Sequence, residues 1–84
     1  MNIIYYVDFK SPQINSDFAI SNALISEHTI LLVTSKEQLL ASIDTYDLIL
    51  VGKSASGVNL DVNKKAIYIE AGWELQEIVN EINK

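Results

Sequence analysis

Residues 29–52, TILLVTSKEQLLASIDTYDLILVG, decide how this chain folds. Thr29 to Val33 is an apolar run, and Ser35-Lys36-Glu37-Gln38 follows it. Ser35 has the hydroxyl that caps a helix N-terminus, and Gln38 stands three residues on, where its side chain can reach back in a capping box. Leu39, Leu40 and Ile43 then recur at helical spacing until Asp44-Thr45 ends the segment. Leu48 to Val51 is wholly apolar, as expected of a strand covered on both faces of a parallel sheet. The stretch reads strand, helix, strand.

Working outward, Ile3 to Val7 is apolar at every position and predicts a central strand. Helix-start chemistry follows at Ser11-Pro12 and Asn15-Ser16-Asp17, and the segment from Asp17 to Glu27 holds no breaker, which predicts a first helix. The stretch from Gly52 to Lys65 is rich in Ser, Gly, Asn and Lys and has no helical period. It reads as a long crossover loop in preference to an added strand in which Val58, Leu60 and Val62 alternate. Ala66 to Ala71 alternates and suits an edge strand. From Gly72 onward, Leu75, Ile78, Val79 and Ile82 fall at helical spacing. The order β-α-β-α-β-loop-β-α, with right-handed crossovers, predicts one α/β domain over 1–84, a small flavodoxin-like or Rossmann-like layer of four mainly parallel strands ordered 2-1-3-4 with three helices. Where a loop replaces a crossover helix, the sheet face near the fourth strand and Tyr68 is expected to be partly bare.

The chain has 84 residues and no cysteine, so its stability must come from the apolar core. A reducing, cytoplasmic setting fits. The opening MNIIYYVDF lacks a basic leader and a long h-region, and no apolar run approaches the roughly 20 residues of a membrane span. Eleven carboxylates against six lysines give a net charge of −5, with no arginine. Without arginine's bidentate fork, direct nucleic-acid binding is not expected.

VTSKEQLLASIDTYDLILVG resembles the second strand, second helix and third strand of a response-regulator receiver domain, and AIYIEAGWELQEIVNEI resembles that family's last strand and helix. Asp8 matches one of the family's acidic metal-binding positions. The resemblance implies the fold and stops short of the chemistry. Gly52 stands where the phosphoacceptor aspartate would be, Ala71 where the lysine would be, and Gly72 where proline follows. Asp8 alone does not supply the several oxygen ligands that Mg²⁺ requires. No metal, cofactor or phosphorylation is therefore expected.

Two candidate surfaces remain. Lys10, Lys36 and Lys53 each lie just past a strand, so parallel strands would gather them on one sheet edge beside Ser54 and Ser56, where open α/β sheets bind ligands. This predicts a phosphate, nucleotide or other small-anion site. Gly52-Lys53-Ser54 is not the end of a Walker A loop, because Asp47 occupies the first-glycine position and the residues between are strand. The second surface is acidic: Glu70, Glu74, Glu77 and Glu81 fall close to one side of the last strand and helix, with Tyr68 near them. They predict a non-enzymatic interaction module that docks on a larger protein, such as a regulator or inhibitor of a nucleic-acid enzyme of the kind that mobile elements encode. A homodimer through the edge strand and bare face is a further expectation. His28, the single histidine, has no nucleophile near it in sequence and is expected at a helix end on the opposite sheet edge. No catalytic group is assigned.

Overall fold

The computed structural model describes residues 1–84. It contains strand β1 (Asn2–Tyr6), helix α1 (Ile14–Leu24), β2 (Thr29–Val33), α2 (Lys36–Ser42), β3 (Leu48–Val51), β4 (Ala66–Tyr68) and α3 (Leu75–Ile82). Short 3-10 turns follow α2 at Ile43–Thr45 and β3 at Lys53–Ala55. The four strands form one sheet in the order β2-β1-β3-β4, and every pair is parallel. No helix is long and apolar enough to cross a membrane.

Strand alternation divides the core into two layers. Ile3, Tyr5, Val7, Leu48, Leu50 and Ile67 project to one face and pack with Ile20 and Leu24 of α1 and Ile78 and Ile82 of α3. Ile4, Tyr6, Val33, Ile49 and Val51 project to the other face and pack with Leu39 of α2 and with Ala55 and Leu60 beyond β3. Burial on both faces explains why β1 and β3 are apolar at consecutive positions.

The face expected to be partly bare near β4 is covered only in part, since Tyr68, in register with Val51, stays 42% exposed. Val58, Leu60 and Val62 alternate along an extended crossover segment that belongs to no strand, and all three pack on the second core layer. Gly57, at φ 90°, turns the chain out of the preceding 3-10 turn in a conformation that disfavours side chains. Two polar contacts then pin the segment. The Leu60 N–H donates to the Tyr68 hydroxyl at 3.1 Å. The Lys64 ammonium donates to the Ile43 carbonyl at 2.6 Å and to the Tyr46 carbonyl. An alternating apolar loop, held at Leu60 and Lys64, stands in place of the missing helix.

Helix boundaries shift in physically readable ways. α1 begins three residues before Asp17, because the turn after β1 is already winding: the Ser11 N–H donates to the Asp8 carbonyl and the Ile14 N–H to the Ser11 carbonyl. It closes when the backbone N–H of His28, and not its ring, donates to the Leu24 carbonyl. At α2, Ser35 accepts from the Gln38 N–H at 3.2 Å as expected of a cap. Gln38 reaches one residue further back than a capping box, accepting from the Thr34 N–H at 2.8 Å. α3 starts only at Leu75, since Ala71 and Gly72 form a turn closed by the Trp73 N–H donating to the Glu70 carbonyl.

Candidate functional site

The C-terminal ends of β1 and β3 diverge. The chain leaves β1 for α1 on one face, and leaves β3 for the crossover segment on the other. An open cleft of about 510 Å³ lies there, bounded by Tyr6, residues 7–10, Thr34, residues 54–56 and Val58. This is the point where strand order reverses, the place at which open parallel sheets bind ligands. Its volume falls within the roughly 300–1,000 Å³ typical of small-molecule sites.

One wall of the cleft is set from beneath by Asp17. Residues 17, 20, 21 and 24 form the buried stripe of α1, and Asp17 is fully buried within it. Its Oδ1 accepts from the Lys53 N–H at 2.9 Å and from the Tyr5 hydroxyl at 2.8 Å, and its Oδ2 accepts from the Ser54 N–H at 2.8 Å. A buried carboxylate is tolerable only when donors replace its water, and here three do. Burial, then the neighbouring Asp17 charge and its hydrogen bond, push the Tyr5 phenol far above its ordinary value. Gly52 completes the clamp: a Cβ there would lie 2.5 Å from Asp17 Oδ2. The space that a side chain at residue 52 would take is thus filled by a carboxylate arriving from α1.

The clamp continues to the surface. Fixing the 3-10 turn fixes Ser54, whose hydroxyl accepts from the Asp8 N–H at 2.9 Å. Asp8 Oδ1 in turn accepts from the Lys10 N–H at 2.9 Å, folding residues 8–10 back over the cleft. Phe9 is 57% exposed and stacks at a tilt on Phe18, with ring centroids 5.9 Å apart.

The three lysines are not gathered. Lys10 borders the cleft. Lys53 turns away, its ammonium donating to the Trp73 carbonyl at 2.8 Å and tying β3 to the turn before α3. Lys36 lines a separate small pocket with Leu39, Leu40, Leu60, Asp61 and Val62. A parallel sheet does align strand ends, but a long lysine stem then reaches whichever carbonyl or groove is nearest. Ser54 is buried, lines the cleft, and holds the Asp8 N–H with its hydroxyl.

On the acidic side, Glu70, Glu74 and Glu77 are exposed and Glu81 is half-buried. Glu77 acts locally, its Oε2 accepting from the Glu74 N–H at 3.1 Å across the start of α3. Glu81 pairs with Lys84 at 3.0 Å, the single ion pair in the protein. Tyr68 is partly exposed, yet its hydroxyl is taken by the crossover segment. No cluster of His, Cys, Asp or Glu suited to a metal ion occurs. No family model, curated protein or solved structure matches the chain.

Asp17 and Thr34 are site-forming residues that motif reading passed over, whereas Ser56, expected beside the lysines, does line the cleft. Asp17 did leave a trace, because a carboxylate at i before Ile20, Ser21 and Leu24 at i+3, i+4 and i+7 stands on the apolar stripe.

Proposed function

We propose that this chain is a small-ligand binding domain, and that a molecule bearing a phosphate or carboxylate group occupies the cleft above β1 and β3. The observation that carries the reading is the set of donors around that cleft: the Lys10 ammonium, which makes no ion pair, with the hydroxyls of Ser54 and Ser56. Ser54 accepts from Asp8 and keeps its own proton to donate. The exposed Phe9 ring offers a stacking face beside these donors. Asp8 is the one carboxylate among the residues lining the cleft, and its Oδ1 is engaged by the Lys10 N–H. The rest of the net charge of −5 opposes an anion at long range, where salt screens it beyond about 8–10 Å. Donors in contact are not screened in this way.

Thermal unfolding with inorganic phosphate, AMP and a phosphosugar tests the reading. Ligand at about 100 times its Kd adds about 2.7 kcal/mol, a rise of roughly 10–20 °C for a domain of this size. The rise should vanish in Lys10→Ala. If none of the three probes moves the transition at about 10 mM, binding at even millimolar Kd is absent and the reading fails.

A second reading keeps the acidic side as a dock for a basic protein surface, favoured by the absence of any cation paired with Glu70, Glu74 or Glu77. Reversing the charge of Glu74, Glu77 and Glu81 should then abolish capture of a partner without unfolding the chain. Capture that survives the reversal removes this route.

A further inference from the structure

The sheet ends on one side in β4, three residues long, and on the other in β2, five residues long. In β2 the Thr29 N–H donates to the Met1 carbonyl at 3.0 Å, and the Val33 carbonyl accepts from the Val7 N–H at 2.9 Å. Backbone groups alternate sides along a strand, so those of Thr29, Leu31 and Val33 face β1, and those of Ile30 and Leu32 face outward. The next outward N–H, that of Thr34, is taken by Gln38. Two N–H and two carbonyl groups therefore stand open in a row. Natural sheets usually blunt such an edge with lysine, proline or a bulge. TILLV has no charge and no proline, and Leu32 is 36% exposed. Beside it runs a groove of about 240 Å³ whose α2 wall is Gln38, Ala41 and Ser42, again uncharged and mostly small.

We infer that a second copy of this chain pairs antiparallel along β2, about a two-fold axis at Leu31, joining two four-stranded sheets into one. The edge is self-complementary in this register. Ile30 of each copy stands opposite Leu32 of the other, and each pair exchanges both backbone bonds, so all the open groups are satisfied. Ile30 and Leu32 also share the α1 side of the sheet, being in register with Ile3 and Tyr5, so apolar side chains meet across the axis. Charge selects the same strip. Two chains of net charge −5 repel over most of their surfaces, and this neutral edge opposes no like charges. The register further carries Glu27, just before β2, toward Ser35 and Lys36 of the other copy. This inference is independent of the cleft.

Light scattering at increasing protein concentration, up to about 1 mM because short edge pairings make weak interfaces, should show the mass doubling. Leu32→Lys places a charge against Ile30 of the other copy and should stay monomeric with an unchanged circular dichroism spectrum, since Leu32 is already partly exposed. Leu31→Cys gives a test that does not depend on that variant. The chain has no cysteine of its own, and residues opposed in a non-hydrogen-bonded antiparallel pair lie about 4.5 Å apart at Cα, within the range a disulfide spans. Mild oxidation should convert it to a covalent dimer. A wild type that stays monomeric throughout overturns the inference. So does a dimer that persists in Leu32→Lys while Leu31→Cys fails to cross-link.

Discussion

Gly52→Ala tests the clamp on which the cleft is built. The added Cβ would stand 2.5 Å from Asp17 Oδ2, 2.7 Å from Cγ and 2.8 Å from Oδ1, all closer than nonbonded atoms tolerate. A flexible side chain could swing aside, but this carboxylate is held by the Lys53 N–H, the Ser54 N–H and the Tyr5 hydroxyl at 2.8–2.9 Å. Strain or a lost charge-assisted bond must follow, costing about 1–3 kcal/mol. A chain of this length is held by only about 4–12 kcal/mol in total, so the loss is large. At roughly 4–8 °C per kcal/mol it lowers Tm by about 4–24 °C. Urea unfolding of four proteins, wild type, Gly52→Ala, Asp17→Ala and the double variant, separates strain from simple backbone effects. Asp17→Ala alone should cost about 3–5 kcal/mol, because it strands buried donors. It also vacates the space the Cβ needs, so Gly52→Ala should cost at least about 1 kcal/mol less in that background. A Gly52→Ala penalty that is equal in both backgrounds would refute the clamp.

Alkaline titration reads the same cluster through Tyr5. Its folded-state pKa is raised above the ordinary 10.0, so the unfolded chain loses that proton first. The stability it contributes is therefore complete below about pH 10 and falls as pH rises beyond it. One tyrosine's share of the phenolate absorbance should appear only together with loss of secondary structure, and its appearance in a still-folded chain would contradict this. Lys64→Met removes the donor to the Ile43 and Tyr46 carbonyls. It should destabilise by about 1–2 kcal/mol and speed hydrogen exchange in residues 56–65 ahead of the strands. Leu60→Ala, which empties a site in the second core layer, should cost about 2–5 kcal/mol in urea unfolding.

The sheet was legible because two-sided burial writes itself into composition. Strands such as Ile3 to Val7 and Leu48 to Val51 are apolar throughout, and Ser35 with Gln38 marked the start of α2 where it lies. The crossover was legible as a loop, but its role was not. The alternation of Val58, Leu60 and Val62 is the pattern of a half-buried strand, and only the packing decides that it covers a sheet face without joining the ladder. The candidate site was legible as a place and illegible as a chemistry. Strand ends fixed where Lys10, Lys36 and Lys53 emerge, yet a lysine stem has several bonds to turn about, and Lys53 found the Trp73 carbonyl. Asp17 was hidden for the opposite reason. Asp near a helix start is the common signature of a cap, and its use as an acceptor for a turn some 36 residues away depends on a long-range contact that no local pattern encodes.

Amide chemical-shift mapping of the ¹⁵N-labelled chain during titration with AMP is the most direct measurement of whether the cleft binds. Binding there should move Asp8, Phe9, Lys10, Thr34, Ser54 and Ser56 together, with saturation lost in Lys10→Ala. Shifts confined to residues 74–84, or none at all, would contradict it.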